Sequence, residues 1–177
     1  MAVSIRRIRA GEGQVLRDVR LLALADAPTA FASSHEKEAT RAISTWDADS
    51  SERASGDDSV NFFAEADGTV VGLVGAFRVA QDPEIVELVS MWVEPAQRGR
   101  GVGAMLVDAV LEWAAASGSQ EVGLWVTRTN ASAAALYEKM GFVVTGDVQA
   151  LPSDPCYDEV RMVRSVGRGD GVGGANA

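Results

Sequence analysis

The sequence predicts an α/β (α+β) domain, a mixed sheet of six to seven strands with helices on both faces. Three observations carry that prediction. Short alternating or continuous apolar runs at residues 3–8, 61–65, 70–79, 85–93, 122–126, 142–148 and 158–164 read as strands. Apolar residues spaced i, i+3, i+4, i+7 read as helices, most clearly over 101–117, where Val102, Met105, Leu106, Ala109, Val110 and Trp113 share a face. The elements follow the order β, α, α, β, β, β, α, β, α, β, β, which suits a sheet layered between helices.

Each element has a local reason. Residues 3–8 alternate loosely, as a first strand does. Residues 12–26 place Val15, Val19, Leu22 and Leu24 along a helix that Pro28 ends. A second helical region is expected within 33–54, anchored by Ile43 and Trp46. Residues 61–65 and 70–79 flank Asp67-Gly68, a pair that supplies the positive φ values of a tight hairpin turn. Residues 85–93 are a nearly continuous apolar run, so a central strand covered on both faces is expected. A glycine-rich loop and the 101–117 helix follow, then a strand at 122–126, a helix at 131–140 and strands at 142–148 and 158–164. Residues 1–165 read as a single domain, and 166–177, rich in glycine without apolar period, as a flexible tail.

Length and composition bound the function. A chain of 177 residues suits one domain, and 47% hydrophobic with 23% charged residues is far from a disordered composition. Sixteen basic against 25 acidic residues give a net charge of −9, a field that repels nucleic acid and anionic membrane. No apolar run approaches the roughly 20 residues of a membrane helix, and no apolar block follows the charges of the N-terminus, so a cytoplasmic location is expected. A lone cysteine, Cys156, makes no internal disulfide. With one histidine, His35, it leaves no Cys/His zinc cluster, and no metal is expected. A Cys-His or Ser-His-Asp enzyme would have to pass through His35, which makes most hydrolase readings unattractive.

The most informative stretch is residues 97–103, Gln97-Arg98-Gly99-Arg100-Gly101-Val102-Gly103, between a buried strand and an amphipathic helix. A helix N-terminus presents unpaired N–H groups and partial positive charge, a ready anion site. Glycines at 99, 101 and 103 let backbone close around a pyrophosphate, and Arg98 and Arg100 add charge. A Walker A loop is excluded because Ala104-Met105 stands where Lys-Ser/Thr is needed. A dinucleotide fingerprint is excluded because Leu106 stands where its third glycine belongs. A loop that is glycine-rich merely for turning stays open on these residues alone.

Arg98-x-x-Gly101-x-Gly103, after the strand ending Met91-Trp92-Val93, resembles the acyl-CoA signature of the GCN5-related N-acetyltransferase (GNAT) family. Asn130, followed by Leu136-Tyr137 and Gly141-Phe142, is similar to that family's later motif at its usual distance. The resemblance covers roughly residues 3–165, strongly over 85–146 and weakly before 60. It implies a mostly antiparallel sheet, acetyl-CoA as co-substrate, and a primary amine, on a small molecule or a peptide N-terminus, as acceptor. It also implies that the pyrophosphate sits on the N–H groups of Arg98, Gly99, Arg100, Gly101, Val102 and Gly103. The pantetheine would pair with the backbone of Met91, Trp92 and Val93 where that strand splays from the next, with Asn130 on the pantetheine side and Tyr137 near the sulfur. Homodimers are common in the family, so a homodimer is one assembly to consider.

The chemistry gives these residues distinct tasks. An ammonium must lose a proton before it attacks a thioester, and the tetrahedral intermediate then expels a thiolate that an acid can protonate. Tyr137 is the candidate general acid, since a phenol of pKa near 10 matches a thiol in acidity; as Ala133, Leu136, Tyr137 and Met140 share a helical face, a core aromatic is the alternative. Glu87 is the candidate base through water, since a carboxylate inside a central strand is costly unless paired, hydrated or facing a cleft; a solvated strand-start charge is the alternative. Ser90 is a weaker candidate contact. His35, Glu36, Glu38 and Trp46 fall where the family's acceptor-binding helices lie, with a wet helix face as the alternative. Cys156, placed in a loop, lacks a neighbour that would lower its pKa, so direct transfer is the simpler chemistry. An acetyl-CoA-dependent N-acetyltransferase is the leading reading, with a non-catalytic acyl-CoA-binding module and a plain nucleotide-binding protein as alternatives.

Overall fold

In the computed structural model, which describes residues 2–167, seven strands form one sheet in the order β1-β2-β3-β4-β5-β7-β6. The strands are β1 (Val3–Arg7), β2 (Ser59–Ala66), β3 (Thr69–Val79), β4 (Asp82–Val93), β5 (Glu121–Thr127), β6 (Val143–Leu151) and β7 (Asp154–Ser165). The helices are α1 (Gly13–Asp26), α2 (His35–Ala39), α3 (Ile43–Ser55), α4 (Val102–Ala116) and α5 (Ala131–Lys139). Only β4 and β5 run parallel, and α4 is their crossover; every other neighbouring pair is antiparallel. Asp67 and Gly68 both take positive φ, 49° and 77°, and close the β2–β3 hairpin as its sequence requires.

Helices cover both faces. Leu106, Val107 and Val110 of α4 and Tyr137 of α5 pack with Val74, Val86, Leu88, Leu124 and Met162 on one side. Leu16, Val19, Ala23 and Leu24 of α1 and Trp46 of α3 pack with Phe63, Leu73 and Trp92 on the other. Among the described residues no helix is long and apolar enough to cross a membrane.

Several expectations need correcting. The second helical region is two helices, broken at Thr40, whose hydroxyl donates to the Lys37 carbonyl. Trp46 anchors α3 at 2% exposure, but Ile43 is 46% exposed and anchors nothing. β4 is central yet not covered on both faces. Val86 and Leu88 are buried, whereas Val89 beside them and Phe77, opposite Glu87 on β3, are exposed. Cys156 lies in β7, not in a loop, and is exposed. Val166 is buried and donates its N–H to the Gln120 carbonyl, which extends the packed chain one residue past the expected boundary. Of the expected tail, residues 168–177 lie outside the described residues.

Candidate active site

The site begins where β4 and β5 part. They pair only from Ile85 to Glu87 against Glu121 to Gly123, which leaves the β5-facing edge of β4 unpaired from Leu88 onward. A bulge marks the departure. Gly75 faces Val89 and Leu73 faces Trp92, so β4 carries one extra residue, and Ser90 takes a φ of 57° to absorb it. The backbone of Ser90 and Met91 stands outside the β3 ladder. The bulge also shifts the side-chain phase, so Trp92 enters the α1 side of the core while Met91 packs against the α4–α5 side.

Between the two strands lies a cleft of about 70 Å³, walled by Leu88, Val89, Ser90 and Met91 on one side and by Trp125, Val126, Thr127, Asn130 and Tyr137 on the other. Asn130 lines the cleft and caps α5: its side-chain oxygen accepts from the Ala133 N–H at 3.2 Å, so the cap does not use its amide NH₂. Gly141, at φ 85°, closes the other end of α5, and the Phe142 N–H returns to the Tyr137 carbonyl. Tyr137 is therefore held from both ends of a nine-residue helix. Its ring meets Phe142 edge-on at 5.7 Å, and burial pushes its phenol above the ordinary value. Tyr137 is buried and packs in the core, and it also lines the cleft.

Down the α4 side, Gly99 and Gly101 take φ of 74° and 85°, and a Cβ at either would meet nothing within 4 Å. These glycines serve conformation and leave open space beside the chain. Gly101 is the N-cap of α4 without a side-chain cap, so the first N–H groups of that helix are free of one. Gly103 differs: a Cβ there would lie 3.0 Å from Leu136 and 3.3 Å from Met91, so it permits α4 to pack against α5 and β4. An uncapped helix start, open left-handed backbone and an adjoining free strand edge fit an elongated thioester cofactor with a pyrophosphate.

Other predicted residues are placed differently. Arg98 does not simply add charge to the loop. Its Nε donates to the Val93 carbonyl at 2.9 Å and its Nη2 to Asp26, which also accepts from the Trp92 indole at 2.9 Å. Arg100 is exposed. Glu87 does not line the cleft; it is largely covered, with both oxygens held by Arg161, one at 2.7 Å. The guanidinium reaches it across Gly123, where a Cβ would stand 2.1 Å from Nη2, and lies over the Trp125 ring. His35 and Glu36 are exposed on α2, Glu38 pairs with Arg41 at 3.1 Å, and Trp46 is core. None of these four lines the cleft. The loop ahead of α2 does approach it: Ala30 lines the cleft, Thr127 donates to the Thr29 carbonyl at 2.7 Å, and Ser153 to that of Phe31.

Asp26, Arg161 and Thr127 were not foreseen. Gly123, a glycine inside a strand, was the one local sign that something passes close. Arg161 and Asp26 carried no such sign, since their partners lie 74 and 66–72 residues away.

Comparison with known proteins agrees with this geometry. Human N-acetyltransferase 8 is 39% identical over 87 residues, 47% of this chain and 38% of that protein. The chain spans well under two thirds of the curated relatives it matches first. An acetyltransferase of the GNAT family from Streptococcus pneumoniae has the same fold, with a TM-score of 0.77 at 24% identity over 94% of this chain and 100% of that one. So does the PaiA N-acetyltransferase from Thermoplasma acidophilum, solved in complex with coenzyme A, with a TM-score of 0.72 at 19% identity over 93% and 99%. The acetyltransferase (GNAT) family pattern itself matches residues 21–142, more than half of the sequence, and the chain belongs to that family.

Proposed function

We propose that this protein transfers an acetyl group from acetyl-CoA directly to a primary amine. The observation that carries the reading is the parting of β4 and β5 over a cleft with Tyr137 in its wall, next to an uncapped α4 N-terminus. The free edge of Met91, Trp92 and Val93 is suited to strand-like pairing with a pantetheine amide. The N–H groups of residues 98–103 are suited to a pyrophosphate. Acetyl-CoA supplies the activated acetyl group as a thioester, and the remaining steps belong to the chain's own residues.

The Tyr137 hydroxyl stays protonated through the physiological range because burial disfavours the phenolate. It donates to the sulfur as the thiolate leaves. The same burial disfavours a free thiolate, so the difference between the two groups governs the transfer. The backbone of Ser90 and Met91, outside the β3 ladder, faces the cleft where a carbonyl oxygen gains charge. Glu87 takes the amine proton through water that competes for an oxygen now held by Arg161, which fixes the direction of the carboxylate. Asn130 offers its amide to the pantetheine side.

The test is calorimetric titration with acetyl-CoA, with ATP as comparator, followed by thioester consumption in the presence of a panel of amines. Preferential binding of acetyl-CoA and amine-dependent release of thiol are the expected results. Binding without turnover on any amine would leave an acyl-CoA-binding module, and equal binding of ATP would refute the donor site.

A further inference from the structure

One carboxylate oxygen connects the end of α1 to both parts of the donor site. Asp26 is the last residue of α1, where the helix dipole disfavours an anion, and no basic residue stands in that turn to offset it. Its stabilising partners come instead from 66 and 72 residues away. Oδ2 accepts the indole N–H of Trp92 at 2.9 Å and the guanidinium of Arg98. Trp92 is 7% exposed, so without Asp26 its N–H would be left unpaired at the edge of the core. Arg98 also donates to the Val93 carbonyl, so it ties the end of β4, the end of α1 and its own loop together. Among the described residues it is the only side chain of 94–101 hydrogen-bonded to the rest of the fold. The loop's other key positions, Gly99 and Gly101, have no side chain to hold them.

We propose that Asp26 is a positioning residue for the donor loop. By fixing Arg98 it presets the backbone of residues 98–103 for a pyrophosphate, so binding need not order the loop. Roughly half of the Arg98 side chain is exposed, and two of its five N–H donors are used, so the rest stay available to the phosphates. The assignment rests on the donor reading above and adds a residue from outside both donor motifs. Because the chain after Asp26 runs directly to Ala30 at the cleft, this link also ties the donor loop to the segment that reaches the cleft.

The experiment compares acetyl-CoA with S-acetyl-pantetheine, which carries the same thioester and arm but no pyrophosphate. Dissociation constants are read from tryptophan fluorescence for wild type, Asp26→Ala, Asp26→Asn and Asp26→Glu, with circular dichroism confirming the fold. The expected result is about a tenfold loss of acetyl-CoA affinity in Asp26→Ala, equal to about 1.4 kcal/mol, with S-acetyl-pantetheine binding unchanged. Asp26→Asn falls between, since it still accepts from Trp92 but drops the charge opposite Arg98, and Asp26→Glu recovers most of the affinity. Equal losses for both ligands would show that Asp26 only supports the fold, and no loss for either would show that the loop is set without it; both overturn the proposal. If wild type binds the two ligands equally, residues 98–103 hold no pyrophosphate, and the donor reading fails with it.

Discussion

The proposed donor side of the cleft and the α1–α3 side of the sheet are built by different means. On the donor side the working surface is backbone: the unpaired edge of β4, the left-handed residues Ser90, Gly99 and Gly101, and the start of α4. The α1–α3 side, whose residues named next do not line the cleft, is held instead by a set of side-chain cross-links. Arg41 joins Glu38 to Asp49 and stacks on Trp46, Arg53 reaches Asn61, and Arg20 lies over Phe31. A backbone surface depends on residue types only where φ or space demands them, so it recurs with a recognisable pattern. A cross-linked surface can be made from many residue combinations, so it carries no such local pattern.

Tyr137→Phe tests whether the donor side also carries chemistry. The ring would still meet Phe142, so the core is kept and only the hydroxyl is lost. Turnover number is expected to fall on the order of 10²- to 10⁴-fold, the usual range for a lost acid, with acetyl-CoA affinity unchanged. Unchanged turnover would reduce Tyr137 to a packing residue. Gly101→Glu attacks the backbone surface directly. Its φ of 85° strains any side chain, and the new carboxylate would occupy the place proposed for the pyrophosphate at the start of α4. Acetyl-CoA affinity should fall on the order of 100-fold in calorimetry. A variant that binds normally would mean the pyrophosphate lies elsewhere.

Two glycines sharpen the contrast. At Gly13 a Cβ would stand 2.2 Å from Asp47 Oδ1 and 2.5 Å from the Asp47 backbone nitrogen, so α1 and α3 touch through it. Gly13→Ala must push the helices apart and should cost about 1–3 kcal/mol, read as a lower melting temperature by roughly 2–4 °C per kcal/mol. Gly99→Ala meets no atom within 4 Å and costs only the strain of its φ, about 1 kcal/mol. If Gly99→Ala proves the more damaging to stability, the division into open and packed glycines is mistaken.

The same contrast explains what could be read in the sequence. The seven strands, the Asp67-Gly68 hairpin, the α4 stripe and α5 all follow from local period and turn residues, and all are present. The break at Thr40 and the exposure of Ile43 were not legible, because α2 and α3 pack by few apolar residues in a mostly polar stretch. The one-sided burial of β4 was hidden as well, since an apolar run looks the same whether or not a helix covers its second face. The Glu87–Arg161 and Asp26–Arg98 pairs depend on which strands and helices the topology brings together, and no local pattern encodes them.

Asp26, where the two sides meet, gives a pH-dependent test. The Trp92 N–H, and then Arg98, hold its carboxyl below the ordinary 3.8 against the opposing effect of burial. A folded value below the unfolded one contributes stability that is complete above the unfolded value and lost as pH falls through the folded one. Glu12 titrates in the neighbouring range: burial alone would raise it, but the Arg6 hydrogen bonds and the Arg9 N–H together leave it lowered. Acid sensitivity of the wild type therefore mixes the two, and only a difference against Asp26→Asn isolates one. That variant should be less stable at neutral pH by about 1 kcal/mol, since the pair is partly exposed. The deficit should shrink as pH falls below about 4, where the wild-type carboxyl takes up its proton and loses its advantage over the amide. Urea unfolding of both proteins across that range measures the difference directly. A deficit that stays constant into the acid range would mean that Asp26 acts through shape and not charge, and that the link between the two sides is not an ion pair.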